Sequence, residues 1–151
     1  MIINSLYALF ATFCFGIIFN IRGKKLAFAS LGGGLAWFMY LFTNSLELST
    51  SFSLFVASII ATIYSEIMAR RLKTTVTTFV ICAILPLVPG NGMYYTMYQS
   101  ILGQNTLALN TGIKTLASAG AIAAGIVLIS STTKLIKVKR PKGKAIQNEV
   151  V

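Results

Sequence analysis

Glu66 is the only carboxylate inside any apolar run of this chain, and Arg70 follows it by four residues. At that spacing the two side chains share one face of a helix. An ionisable group in apolar surroundings is costly, and by default it marks an ion-binding or proton-carrying site. The plainer reading is an i, i+4 ion pair at a membrane interface, both side chains reaching towards headgroups. A second feature is residues 85–98, LPLVPGNGMYYTMY. Pro86 has no N–H, so the carbonyl near Cys82 loses its helical partner. Pro89 and Gly90 have the form of the central pair of a type II turn, and Gly92 permits another unusual backbone angle. A helix starting near residue 75 must therefore stop early, and a second begins near Met93 with free N–H groups. Irregular backbone inside a membrane is tolerated where it lines a polar cavity. Secondary transporters use such breaks, with carbonyl ends for cations and helix N-termini for carboxylates. The competing reading is an outer loop whose Tyr94, Tyr95 and Tyr98 join an interfacial aromatic belt. The residues alone leave both open.

Other chemistry is excluded by what is missing. The chain has no histidine and no aspartate, and its three glutamates are Glu47, Glu66 and Glu149. That leaves no Ser-His-Asp or Cys-His arrangement, no paired catalytic carboxylates and no His/Asp/Glu metal cluster. No phosphate-binding GxxxxGK[ST] loop occurs, and Gly32-Gly33-Gly34 lies inside an apolar run rather than after a strand. Cys14 and Cys82 each sit in an apolar run and read as small buried hydrophobes. An enzyme is not expected, and no cofactor or metal is implied.

These residues must be held by helices in lipid. Of the 151 residues, 56% are hydrophobic and only 11% charged, against about 25% charged in soluble domains. One soluble core of this size cannot hide so much apolar surface. A bilayer crossing needs about 20 apolar residues. Runs at 2–19, 26–43, 52–69, from 75 into the two prolines, and 115–133 supply about five. Residues 93–103 are too short to cross and suit a re-entrant or interfacial helix. The expected fold is an all-α polytopic transmembrane bundle with a Pro/Gly-broken fourth helix. The domain spans residues 1–133, and a basic cytoplasmic tail covers 134–151.

Charge placement orients the bundle. The net charge is +10. Arg22, Lys24 and Lys25 fill the first gap, and Arg70, Arg71 and Lys73 the third; the second has no cation and the fourth only Lys114. The tail carries six more between Lys134 and Lys144. This alternation puts the N-terminus outside and the C-terminus in the cytoplasm. It also explains the cations without nucleic acid, and the tail suits anionic membrane lipids. The N-terminus lacks the basic region and small-residue cleavage site of a secretory signal peptide.

Small residues predict where helices approach closely. The third run carries Ser53, Ala57, Ala61, Ser65 and Ala69, with Ser58, Thr62, Glu66 and Arg70 beside them. The last run carries Ala117, Ala121 and Gly125, and the second Gly33 with its neighbours. Ala57, Ala61, Ser65, Gly33, Ala121 and Gly125 are candidates for internal packing or for a partner chain. Five short spans make a thin bundle around a solute path, so further subunits are expected.

The element Ile84-Leu-Pro-Leu-Val-Pro-Gly90 with Tyr94 or Tyr95 after it resembles the threonine/serine exporter family. Phe19-Asn20-Ile21, Gly32-Gly33-Gly34 with Trp37 and Tyr40, Glu66 with Ala69-Arg70, and Thr111-Gly112 to Gly125 extend the likeness. The chain resembles the family's small, C-terminal-half-type subunit from about residue 15 to 132. It departs from the pattern at Thr74 and Thr75, where a proline often stands, and at Lys114, where an acidic or neutral residue is expected. The resemblance implies a partner: a longer subunit with a cytosolic N-terminal region and about five spans of its own. It implies proton-motive-force-driven export of threonine and serine from the inner membrane, or of C4-dicarboxylates such as succinate. A non-transporting scaffold subunit is the reading of another class. On the export reading, Pro86, Pro89, Gly90, Asn91 and Gly92 shape the binding backbone. Tyr94, Tyr95 and Tyr98 line the outer mouth, and Glu66 with Thr62 the inner route.

Overall fold

A computed structural model describes residues 1–138. The elements are α1 (Ile2–Ile18), α2 (Lys24–Asn44), α3 (Thr50–Arg71), α4 (Val76–Ile84), a 3-10 turn (Leu85–Leu87), α5 (Gly90–Ile101) and α6 (Asn105–Val138). The described residues are all-helical, as the composition predicts. α2, α3 and α6 are long and apolar enough to cross a membrane, and α4 with α5 makes a fourth if the bent pair counts as one span. α1 is a shorter apolar helix of 17 residues.

Helix ends follow the sequence closely. Ser49 caps α3, its hydroxyl accepting from the Phe52 N–H at 3.3 Å. The first three loops turn on left-handed Asn20, Glu47 and Lys73. After α3 the Thr74 N–H donates back to the Ala69 carbonyl at 3.0 Å, so Lys73 occupies the left-handed position of a Schellman turn.

Small residues set the packing. α2 lies between α1, α3 and α4, and its glycine run serves three directions: Gly32 against Tyr64 and Ala83, Gly33 against Thr12, Gly34 against Leu9. The buried Ala36, Leu54, Ala57, Ala61, Ala83, Leu87 and Ile122 form one core cluster. A second joins Ile21, Ala29, Ala69, Phe79 and Cys82, with Leu72 and Val76 packed on it. This second cluster ties the α1–α2 and α3–α4 loops together, so Arg22, Lys24, Lys25, Arg70, Arg71 and Lys73 gather at one basic end. α3 and α6 run parallel at a constant offset of 67 residues: the Ser51 and Ser118 hydroxyls are 3.5 Å apart, and Gly125 lies on Ser58.

The break falls where Pro86 predicts, but its geometry differs from a type II turn. Pro89 precedes α5 at φ −76°, ψ 54°, and Gly90 and Gly92 lie in the helix without positive φ. α5 therefore starts at Gly90 rather than near Met93. Gly92 answers a packing need instead of a backbone one, since a Cβ there would strike the Thr115 hydroxyl. α4 and α5 meet at a bend of 53°.

The last helix is also longer than the apolar run at 115–133. α6 begins at Asn105 and has 34 residues, about 51 Å at about 1.5 Å per residue. Its first third reaches past the start of α3 and packs on α5, where Gly112 receives Thr96 and the Thr111 hydroxyl donates to Gln99 Oε1 at 2.9 Å. The helix continues through residue 134, where the tail was expected to start; residues 139–151 of that tail lie outside the described residues.

Candidate functional site

Glu66 opens onto a cavity of about 550 Å³ at the basic end. α3 supplies Glu66, Ala69 and Arg70; the α3–α4 loop supplies Lys73 and Thr74; α4 supplies Val76, Thr77 and Val80; α6 supplies Ile126, Ser130 and Thr133. The α3–α6 register makes this possible, because it sets Thr133 level with Glu66. Arg70 Nη2 stands 3.6 Å from Glu66 Oε2, with the Glu66 side chain 14% exposed and that of Arg70 54%. Such an i, i+4 pair contributes about 0.2–0.5 kcal/mol, and solvent around Arg70 lowers that further. One carboxylate, two cations and several hydroxyls thus face one small volume.

The polar row above Glu66 is closed. Thr62 is fully buried, and its hydroxyl donates to the Ser58 carbonyl at 2.7 Å. Ser65 donates to the Ala61 carbonyl and Ser58 to the Phe55 carbonyl. Each hydroxyl spends its proton on its own helix. Ser53 Oγ is the exception, buried without a hydrogen-bond partner among the described residues.

The family model of the threonine/serine exporter ThrE matches residues 4–132. The chain belongs to the threonine/serine exporter family. This is a transporter family, and the apolar helices fit a membrane protein. No curated relative and no solved structure matches the chain.

In this exporter chain the residues singled out by sequence fall into three places. Pro86 faces a shallow groove of about 340 Å³ between α1 and α2, lined by Asn4, Tyr7, Ala8, Ala11 and Trp37. Gly90 and Asn91 are exposed at the start of α5, where Pro89 offers no side-chain cap. Tyr94 stacks on Tyr98 at 6.0 Å and meets Tyr95 edge-on at 5.5 Å, all three exposed beyond the core clusters. Glu66 is at the basic end, a bundle length away. Ala57, Ala61 and Ser65 are fully buried within the chain, as are the Gly33–Thr12 and Gly125–Ser58 contacts, while Ala121 is half-buried.

Sequence reading did not single out Lys73, Thr77, Ser130 and Thr133 for chemistry. Hydroxyl residues recur across all the spans, so nothing marked these three. Lys73 carried a signal: a lysine at the end of a helix, where a left-handed turn favours Gly or Asn.

Proposed function

We propose that the chain is one subunit of a two-component secondary transporter that exports small hydroxy amino acids, threonine and serine, across the inner membrane. The observation that carries this reading is the position of the break. Leu87, between the two prolines, is 2% exposed and packs with Ala36, Ala57 and Ala83. The interruption therefore belongs to the packed bundle, as in transporters built on discontinuous helices. In the proposed topology α1 is a short first crossing and α4 with α5 the fourth. The N-terminus is outside, and the basic end faces the cytoplasm.

A second subunit is favoured by how little of the chain is covered. Only 17% of the most apolar stretch of α6 is buried, against 44% for α3. Ala117, Gly120 and Ala124 form an exposed small-residue row on α6, suited to a close helix contact. The expected partner is the longer subunit with about five spans and a cytosolic N-terminal region.

The test is efflux of labelled threonine, serine and succinate from cells with and without this chain and its partner. Loss of threonine and serine efflux on deletion is expected. Loss of succinate efflux alone moves the cargo to C4-dicarboxylates, and no loss for any of the three favours a scaffold.

A further inference from the structure

The Glu66 carboxylate is largely shielded, yet no described residue donates a hydrogen bond to it. Its ionic partner Arg70 stands at 3.6 Å, well beyond the about 2.7–2.9 Å of a charge-assisted hydrogen bond. Shielded polar groups are ordinarily hydrogen-bonded, and an ionised carboxylate accepts several bonds. Glu66 thus has acceptor capacity left over, and it faces the cavity. The opposite wall offers donors. Lys73 is held at the rim by the Schellman turn. The first turn of α4 lies beside it with Val76 and Thr77 on the wall. The Thr75 hydroxyl is spent on the Thr78 hydroxyl at 2.7 Å and caps none of the α4 N–H groups. Those N–H groups and the positive end of the helix favour an anion.

We propose that this cavity binds a small zwitterion, its ammonium on Glu66 and its carboxylate between Arg70, Lys73 and the start of α4. Thr77 and Ser130 stand on the wall to meet a substrate hydroxyl. The volume of about 550 Å³ falls within the about 300–1,000 Å³ of small-ligand sites. A dicarboxylate satisfies the cationic side equally well but brings its second carboxylate against Glu66. The site therefore selects an α-amino acid over a C4-dicarboxylate, and removing the Glu66 charge reverses that bias. The cargo named here rests on the export reading; the charge pattern rests on the cavity alone.

The test is binding of radiolabelled L-threonine to de-energised membrane vesicles from cells that produce the chain with its partner, with vesicles from deletion cells as the blank. Unlabelled serine and succinate are the competitors, and immunoblotting normalises the amount of chain. Saturable binding is expected, displaced by serine and poorly by succinate. Glu66→Gln should weaken it at least about tenfold, the loss expected for a hydrogen bond between charged groups. Succinate should compete better in that variant. Lys73→Asn removes the second cation while suiting the left-handed backbone, and it too should weaken threonine binding. Absence of binding, equal competition by succinate and serine, or Glu66→Gln binding within about twofold of the parent overturns the site. Efflux separates the two readings. Chain-dependent threonine efflux that ignores Glu66→Gln overturns the site and leaves export standing. Glu66-dependent binding without chain-dependent efflux of threonine or serine overturns export and leaves the site.

Discussion

Gly120 and Gly125 lie five residues apart on α6 and should respond differently to alanine. A Cβ at Gly125 would strike the Ser58 hydroxyl and come within 3.1 Å of the Phe55 carbonyl oxygen. The hydroxyl is itself tied to that carbonyl at 2.8 Å, so the crowded atoms belong to backbone or are fastened to it. α6 must move away from α3, an overpacking cost of about 1–3 kcal/mol. A Cβ at Gly120 meets nothing within 4 Å. Both substitutions gain the same helix propensity, about 0.8–1 kcal/mol, so that term cancels between them. The difference between the two variants is then the overpacking alone, about 5- to 150-fold in the unfolding equilibrium at about 1.4 kcal/mol per tenfold. Gly120→Ala should be neutral or stabilising, and Gly125→Ala destabilised relative to it. Adding Ser58→Ala to Gly125→Ala removes the nearest atom and should restore part of the loss, a coupling characteristic of direct contact. The assay is reversible unfolding of the purified chain in mixed micelles with increasing SDS, followed by far-UV circular dichroism. If Gly120→Ala and Gly125→Ala agree within about 0.5 kcal/mol, the margin for independent sites, the parallel α3–α6 register is wrong.

Three further outcomes follow from the same packing. Replacing both Pro86 and Gly90 by alanine returns an N–H to the Cys82 carbonyl and removes a residue that costs a helix interior about 3 kcal/mol. The 53° bend should lessen and chain-dependent efflux vanish, while membrane fractionation still finds the chain; full efflux would leave the motif a passive bend. Tyr64→Phe deletes the hydroxyl that reaches the Phe28 carbonyl at 2.8 Å and should lower stability by about 0.5–1.5 kcal/mol in the same SDS titration. Cys14 is exposed on α1 and Cys82 buried, so a lipid-soluble diazirine photoreagent, whose carbene needs no thiolate, should tag Cys14 before Cys82. Mass spectrometry showing Cys82 modified first would contradict the seating of α4 on α2 and α3.

The helices were legible because their ends obey local chemistry. The basic clusters close α1 and α3, and Pro86 stops α4 early. The start of α6 was not legible, because Asn105, Asn110, Thr111 and Lys114 break the apolar run that marks a span. What holds residues 105–114 helical is tertiary. Gly112 admits Thr96, and Gly92 of α5 in turn admits Thr115. Each glycine looks like a turn residue until the opposing threonine is known. The type II turn expected at Pro89-Gly90 fails for another reason: Gly90 neither takes a positive φ nor meets a close neighbour, and it simply opens α5.

The cavity illustrates a different gap between sequence and structure. Glu66 and Arg70 were readable as a pair because i and i+4 is a local relation. Whether that pair is merely interfacial depends on what else surrounds it, which no local pattern carries. Ser130 and Thr133 reach the pair only through the 67-residue offset between α3 and α6. Shifting that register by one helical turn would move these hydroxyls about 5.4 Å along the axis, and the wall facing Glu66 would be lost. Gly125 on Ser58 fixes that register two turns before the cavity. A glycine chosen for packing in the middle of the bundle therefore determines which hydroxyls the carboxylate meets at its basic end. Gly125→Ala should accordingly weaken threonine binding as well as stability, whereas Gly120→Ala should leave the stability of the purified chain intact.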